Sequence, residues 1–220
     1  MAVAAAACGP LIVLSAGWLR DPLLSVVMPW FARATFALAG VAVEVRGAAH
    51  LGSRAPRVLV LNHSSTLDLL VMALVAPPGA RALVKRELMW VPPVNLALWL
   101  VGTIFVDRSD PASSIRALDR AADDVRAHGL TLMIAPEGTR SRTGALGAFK
   151  KGPFHLAKRA GAEIVPVVIE GANTILPPSG WVVRPGRLRV TIHPPEPPPT
   201  DPTAAAASLE ARYRGWLAAG

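Results

Sequence analysis

Arg57-Val58-Leu59-Val60-Leu61-Asn62-His63-Ser64-Ser65-Thr66-Leu67-Asp68 places a histidine and an aspartate five residues apart, between one apolar run and another that continues Leu69-Leu70-Val71-Met72. Neither regular element lets the two side chains meet, because they point roughly 140° apart in one helix and lie roughly 17 Å apart in one strand. A turn does. With Arg57–Leu61 as a buried strand and a helix from Leu67, His63 lies in the connection, Ser65 or Thr66 is the expected cap, and Asp68 in the first turn can bend back to the imidazole. A carboxylate on one ring nitrogen fixes the tautomer and frees the other nitrogen to take a proton from a hydroxyl. The pair reads as a general base with its orienter. The plainer alternative is a loop hydrogen bond by His63, with Asp68 favouring the positive helix end.

A second motif, Glu137-Gly138-Thr139-Arg140-Ser141-Arg142, follows the apolar run Leu130 to Ala135 and so sits at another expected strand end. Gly138 lets the backbone turn tightly, Thr139 and Ser141 offer hydroxyls, and Arg140 offers a planar fork suited to phosphate. Upstream, Gly102 to Val106 reads as a short strand delivering Arg108, and Ala82 to Val84 as one delivering Lys85. A solvated surface role is the ordinary alternative for such cations.

Between residues 41 and 193, β-branched runs alternate with longer amphipathic ones. Strands are expected at Val41–Val45, Arg57–Leu61, Ala82–Val84, Ile104–Val106, Thr131–Ile134, Ile164–Ile169 and Leu188–Ile192. The clearest helix is Pro111 to His128, with Asp110 as cap, Pro111 in the first turn, Ile115, Leu118 and Val125 on one face, and Gly129 as stop. Pro194 to Pro202 is expected to stay out of the sheet, and Ala204 to Leu217 to form a closing helix. The fold class is α/β: a single mixed, largely parallel sheet flanked by helices, preceded by an N-terminal apolar helical hairpin. The expected division is residues 1–40 as membrane-associating helices and 41–220 as the α/β domain.

Met1 to Leu19 contains no charged residue and Pro22 to Ala32 contains none, with Trp18 and Trp30 near the two ends. The first run is about long enough to span a bilayer, yet it is alanine-heavy and carries Gly9-Pro10, so spanning and lying in the interface are both compatible with it, and a buried core hairpin is the plainer alternative. A cleaved signal peptide is disfavoured by the lack of a positively charged start. Net charge is +8, with basic residues crowded at 81–86, 108, 140–151 and 184–189. Anionic partners follow. Nucleic acid is not among them, for want of basic and aromatic interleaving, zinc spacing or a binding module, and an anionic membrane surface fits better. Cys8 is the sole cysteine of 220 residues, which gives no disulfide framework and no metal cluster.

The ordered segments resemble the glycerolipid acyltransferase family, the family of 1-acyl-sn-glycerol-3-phosphate acyltransferases. Asn62-His63 with Ser65 and Asp68 is similar to the family's catalytic His-x4-Asp. Gly102 to Arg108, Pro136 to Ser141, and Ile164-Val165-Pro166-Val167 follow in the family's order. Lys85 with Glu87, Leu88 and Pro92 fits the segment before the second block, and Phe149-Lys150-Lys151-Gly152 the one after the third. The likeness covers roughly residues 57 to 170. Two positions depart from it: Ala135 where an aromatic is common, and Asn95 where glycine is usual.

The resemblance implies an enzyme that moves a fatty acyl group from an acyl thioester to the free hydroxyl of lysophosphatidic acid, giving phosphatidic acid in phospholipid biosynthesis. The donor is acyl-CoA or acyl-carrier protein, and the acceptor can equally be another lysophospholipid. His63 and Asp68 are the catalytic residues. Lys85, Arg108, Glu137, Gly138, Thr139 and Arg140 are the substrate-binding ones, and neither a metal nor a cofactor is implied. Backbone amides of the catalytic turn, or around Gly138, are candidates for holding the oxyanion. The expected location is the cell membrane, with the catalytic domain on the cytoplasmic side. A rival enzyme reading makes Ser64 or Ser65 an acyl-carrying nucleophile, against which stands the lack of a Gly-x-Ser-x-Gly elbow. A rival outside catalysis is a membrane-bound protein that only holds anionic lipid.

Overall fold

The computed structural model describes residues 20–52, 55–91, 95, 98–99, 102–107, 110–141 and 143–219. Its centre is one seven-stranded sheet in the order β1-β7-β6-β2-β5-β3-β4. The strands are β1 (Val41–Arg46), β2 (Arg57–Leu61), β3 (Ala80–Lys85), β4 (Ile104–Val106), β5 (Thr131–Ile134), β6 (Glu163–Glu170) and β7 (Gly186–Ile192). Every pairing is parallel except β6 with β7. This is the mixed, largely parallel sheet expected from the sequence. The carboxyl ends of β2, β5 and β6 therefore share an edge with the starts of β7 and β1. In open α/β sheets such an edge is where ligands bind.

The sheet is covered on both faces, which is why β2 is buried along its whole length. Leu59 and Leu61 point into one core with Met28, Phe36, Val71 and Leu74. Val58 and Val60 point into the other with Leu132, Val125, Phe154 and Tyr213. Helices α1 (Arg20–Leu38) and α2 (Asp68–Val75) build the first layer, and α3 (Pro111–His128), α4 (Gly152–Ala160) and α5 (Pro202–Ala219) the second. A single helical turn, Ala172–Ile175, follows β6.

Helix α3 begins and ends as its sequence indicates. The Asp110 carboxylate accepts the Ala112 N–H at 2.9 Å, and Gly129 closes the helix at φ +62°. Its inner face differs from expectation. Ala117, Ala121, Ala122 and Val125 are buried, whereas Ile115 is 60% exposed. Small side chains suit a close approach to α4, where a Cβ on Gly152 would lie 2.9 Å from Leu118 Cδ1. The proline-rich segment after β7 also departs from expectation, since Glu196 and Ile164 exchange backbone hydrogen bonds at 2.8 and 3.0 Å.

Of the expected N-terminal hairpin, only α1 falls within the described residues; Met1 to Leu19 lies outside them. Helix α1 presents Met28, Ala32 and Phe36 to the core at four-residue spacing, while Val26, Trp30 and Leu38 are exposed. Asp21 clamps it to β3 through a two-pronged pair with Arg81 at 3.0 and 3.2 Å. Among the described residues no helix is long and apolar enough to cross a membrane.

A buried tyrosine ties α5 into the sheet. The Tyr213 hydroxyl accepts the Val167 N–H at 2.8 Å and donates to the Val60 carbonyl at 2.6 Å. Opposite Val60 stands Pro166, which has no N–H to give, so a side chain joins β2 and β6 at that level. Burial holds the Tyr213 phenol far above its usual range.

Candidate active site

Strand β2 ends in a turn held on every side. Asn62 prolongs the pairing with β6 through its amide, donating to the Ile169 carbonyl at 2.9 Å and accepting the Ile169 N–H at 2.7 Å. His63 follows, and its Nδ1 lies 2.8 Å from Asp68 Oδ2. The same oxygen accepts the N–H groups of Ser64 at 2.8 Å and Ser65 at 2.9 Å. The turn thus folds around one carboxylate oxygen. Asp68 is buried, whereas the His63 side chain is 28% exposed, so the imidazole bridges a dry carboxylate and an open cleft.

The turn corrects the expected capping. Helix α2 begins at Asp68 with Leu67 in the cap position and no side-chain cap there. Ser65 is turned elsewhere: its hydroxyl accepts the Leu67 N–H at 3.2 Å and donates to the Leu176 carbonyl at 2.8 Å. Thr66 receives Nη1 of Arg140 on its hydroxyl.

The loop after β5 embraces His63 from its main-chain side. Glu137 Oε1 accepts the His63 N–H at 2.7 Å, Oε2 accepts the Gly147 N–H at 2.7 Å, and the Ser141 N–H donates to the His63 carbonyl at 2.9 Å. Burial raises the Glu137 carboxyl above its ordinary value, opposed by the hydrogen bonds from His63 and Gly147. Gly138 takes φ +74° inside this loop, and a Cβ there would lie 2.8 Å from Lys150 Nζ. Lys150 therefore lies across the loop, a neighbour that sequence spacing did not single out as a site residue. The one signal for it was its place in Phe149-Lys150-Lys151-Gly152.

The expected site residues separate into groups. His63, Asp68, Glu137 and Gly138 come together at the ends of β2 and β5. Arg140 and Thr139 are exposed beside them, with Arg140 Nη2 donating to the Pro178 carbonyl at 3.1 Å. Lys85 stands at the end of β3, beyond β5 from His63, and pairs with Glu87 at 2.9 Å. Arg108 lies outside the described residues. Of the amides near the catalytic turn and Gly138 that were candidates for holding an oxyanion, those of His63, Ser64 and Ser65 are engaged by carboxylates and that of Gly138 by the Ala135 carbonyl at 3.1 Å.

His63 opens onto a cleft of about 920 Å³ that runs from Asn62 and Glu137, past Ile169, to Arg187 and Arg189 at the start of β7. That is near the top of the range for small-molecule sites, about 300–1,000 Å³. A smaller cavity of about 70 Å³, lined chiefly by apolar residues such as Leu24, Met28, Met72 and Ala73, lies between α1, α2 and β3. Among the described residues no cluster of histidine, cysteine and carboxylate side chains is arranged to hold a metal ion. The chemistry available is proton transfer by an oriented imidazole at the wall of a large cleft.

A family model described as Acyltransferase matches residues 42–170. The chain is 39% identical over 160 residues to the 1-acyl-sn-glycerol-3-phosphate acyltransferase alpha of Ovis aries, covering 73% of this chain and 56% of that protein. It is 37% identical over 155 residues to the 1-acyl-sn-glycerol-3-phosphate acyltransferase of Saccharomyces cerevisiae, covering 70% of this chain and 51% of that one. The chain spans about half the length of the curated relatives it matches. Among solved structures it resembles the 1-acyl-sn-glycerophosphate (LPA) acyltransferase PlsC of Thermotoga maritima, with a TM-score of 0.74 at 23% identity, over 98% of this chain and 91% of that one. That likeness bears on the fold.

Proposed function

Because this chain belongs to the acyltransferase family, we propose that it transfers a fatty acyl group from an acyl thioester, acyl-CoA or acyl-carrier protein, to the free hydroxyl of lysophosphatidic acid. The product is phosphatidic acid, and the role is in phospholipid biosynthesis. The observation that carries this reading is the 2.8 Å contact of His63 Nδ1 with a buried Asp68, which leaves the other ring nitrogen for a substrate hydroxyl.

The reaction needs no protein nucleophile. The other imidazole nitrogen takes the hydroxyl proton as the acceptor oxygen attacks the thioester carbon, and Asp68 stabilises the imidazolium that forms. Collapse of the tetrahedral intermediate breaks the carbon–sulfur bond, and the departing thiolate takes the proton back from His63. Glu137 keeps His63 in place through the main chain. Arg140 serves the acceptor phosphate with the N–H groups that Thr66 and Pro178 leave unused, assisted by Arg108 and Lys85.

Residues 1–40 dock the protein on the cytoplasmic face of the cell membrane and 41–220 carry the chemistry. Support comes from the uncharged stretch Met1 to Leu19, the exposed Val26 and Trp30 of α1, and the basic excess of the chain. The test offers purified protein a panel of lysophospholipids with each thioester donor and reads products by mass spectrometry. Phosphatidic acid from lysophosphatidic acid is the expected product. Wild-type turnover by a folded His63→Ala variant overturns the assignment.

A further inference from the structure

Between the helical turn after β6 and the start of β7, the chain makes an excursion whose base and tip have opposite characters. The base is part of the active site. The Leu176 carbonyl accepts the Ser65 hydroxyl at 2.8 Å, and the Pro178 carbonyl accepts Arg140 Nη2 at 3.1 Å. A Gly180 N–H to Pro177 carbonyl turn and an Arg184 N–H to Ile175 carbonyl bond, both 2.9 Å, close the excursion on itself. Three prolines, Pro177, Pro178 and Pro185, stiffen it.

The tip is apolar and bare. Trp181 is 97% exposed and Val182 73%, the most exposed pair of adjacent large hydrophobic residues described in the chain. Neither the sheet nor a helix covers them. Two adjacent side chains of this kind cost solvation for no packing gain, and such patches mark interaction surfaces. The flanking charge is of one sign: Arg184 and Arg187 follow at once, and no acidic residue occurs between Gly171 and Glu196. Tryptophan beside arginine is the composition of a bilayer interface, where the indole lies at headgroup depth and the guanidinium meets lipid phosphate.

The returning limb touches the turn that follows the N-terminal helix. The Gly186 N–H donates to the Gly40 carbonyl at 3.3 Å, and a Cβ on Gly40 would lie 3.2 Å from that of Pro185. Leu38, 91% exposed, ends α1 two residues earlier. The bare tip and the exposed end of α1 thus spring from one junction.

We propose that the Trp181–Val183 tip enters the interface of a bilayer containing anionic phospholipid, with Arg184 on lipid phosphate, and thereby holds the His63 cleft against the surface from which a lysolipid arrives. The last clause rests on the acyl-transfer reading; the insertion itself does not. This second point of attachment lies more than 130 residues along the chain from α1. With α1 it fixes which edge of the sheet faces lipid, which one anchor alone leaves free to swivel.

The test places an environment-sensitive dye at the tip, in full-length protein carrying Cys8→Ser and Val182→Cys, and adds vesicles of phosphatidylglycerol and phosphatidylcholine. A blue shift at position 182 is expected, with none for the same dye on Thr200→Cys, in the exposed segment between β7 and α5. Arg184→Gln should weaken binding to the anionic vesicles about fivefold and binding to phosphatidylcholine vesicles, whose phosphate is neutralised by choline, by clearly less. The double variant Trp181→Ser with Val182→Ser should lose roughly tenfold or more of turnover on vesicle-borne lysolipid. On a short-chain lysolipid dissolved as monomers it should stay within about twofold of wild type. Vesicle-bound protein with no shift at 182, a protein that binds no vesicle, or a shift that concentrating the protein alone produces each overturns the proposal, the last by making a second copy the occupant. A shift at 182 in a protein without acyl transfer leaves the insertion standing and removes only the enzymatic reading.

Discussion

Glu137 grips the main-chain N–H of His63 at 2.7 Å and leaves the imidazole to Asp68. Backbone and ring of one residue are thus positioned by separate carboxylates from separate loops. The catalytic turn is located by the end of β5, while the ring is aimed by the start of α2.

Loss of the imidazole should be far more damaging to rate than to folding. His63→Ala is expected to lower turnover about 10²- to 10⁴-fold and leave the circular dichroism spectrum and thermal midpoint close to wild type. Asp68→Asn should lower both, because Asp68 Oδ2 receives the Ser64 and Ser65 N–H groups as well as His63. Its cost is expected to be about 1–3 kcal/mol, read by urea titration.

Glu137→Gln separates positioning from stability. The amide can accept one of the two N–H groups that Glu137 now holds and must point its own NH2 at the other. Turnover should fall roughly tenfold, while stability at neutral pH moves by less than about 1 kcal/mol, since removing the charge also removes its burial cost. The pH dependence has a definite sign. Burial raises the folded-state value of Glu137 above its ordinary 4.5, so the native state binds this proton more tightly than the unfolded chain. The associated stability is full below 4.5 and is lost as pH rises through the raised folded value. Urea midpoints taken from about pH 4 to 7 should show this component in wild type and not in the Gln variant.

Arg140→Ala should raise KM for a phosphate-bearing acceptor roughly tenfold or more, in line with about 1.5–3 kcal/mol for a charged hydrogen bond, and leave KM for the donor unchanged. Arg140→Lys should recover only part, because a point charge cannot reach Thr66, Pro178 and a phosphate from one planar group. Arg108→Ala and Lys85→Ala should follow in the same direction with smaller effects. Equal changes in both substrates count against the phosphate role.

Membrane attachment should depend on the uncharged start of the chain. Removing residues 1–19 is expected to release much of the protein from vesicles in flotation, whereas high salt alone should release little of the full chain. Removing residues 1–40 is a different experiment, since Met28, Ala32 and Phe36 belong to the core and their loss should unfold the domain.

Strand positions were legible because β2, β5 and β6 are short β-branched runs bounded by turn residues, and α3 because Asp110, Pro111 and Gly129 punctuate it. The order of the strands was not, since it depends on packing across the whole chain: nothing local tells β7 to run against β6 and beside β1. His63 and Asp68 were legible as a pair because they share one turn. The work of Glu137 was hidden, because its partners are backbone amides, which every residue except proline carries, one of them 74 residues away. Ile115 misled for a related reason: periodicity locates a helical face, but a close helix neighbour selects alanine over bulk.

The Tyr213 hydroxyl between Val60 and Val167 has a consequence for how the protein comes into being. Val60 lies two residues before Asn62, so the seam it closes is the one that leads into the catalytic turn. The residue that closes it stands 153 positions further along the chain. During folding this seam therefore stays open until α5 has docked on the sheet, and turnover should return after secondary structure. Tyr213→Phe should be about 1–3 kcal/mol less stable in urea, and slower still to regain turnover on refolding.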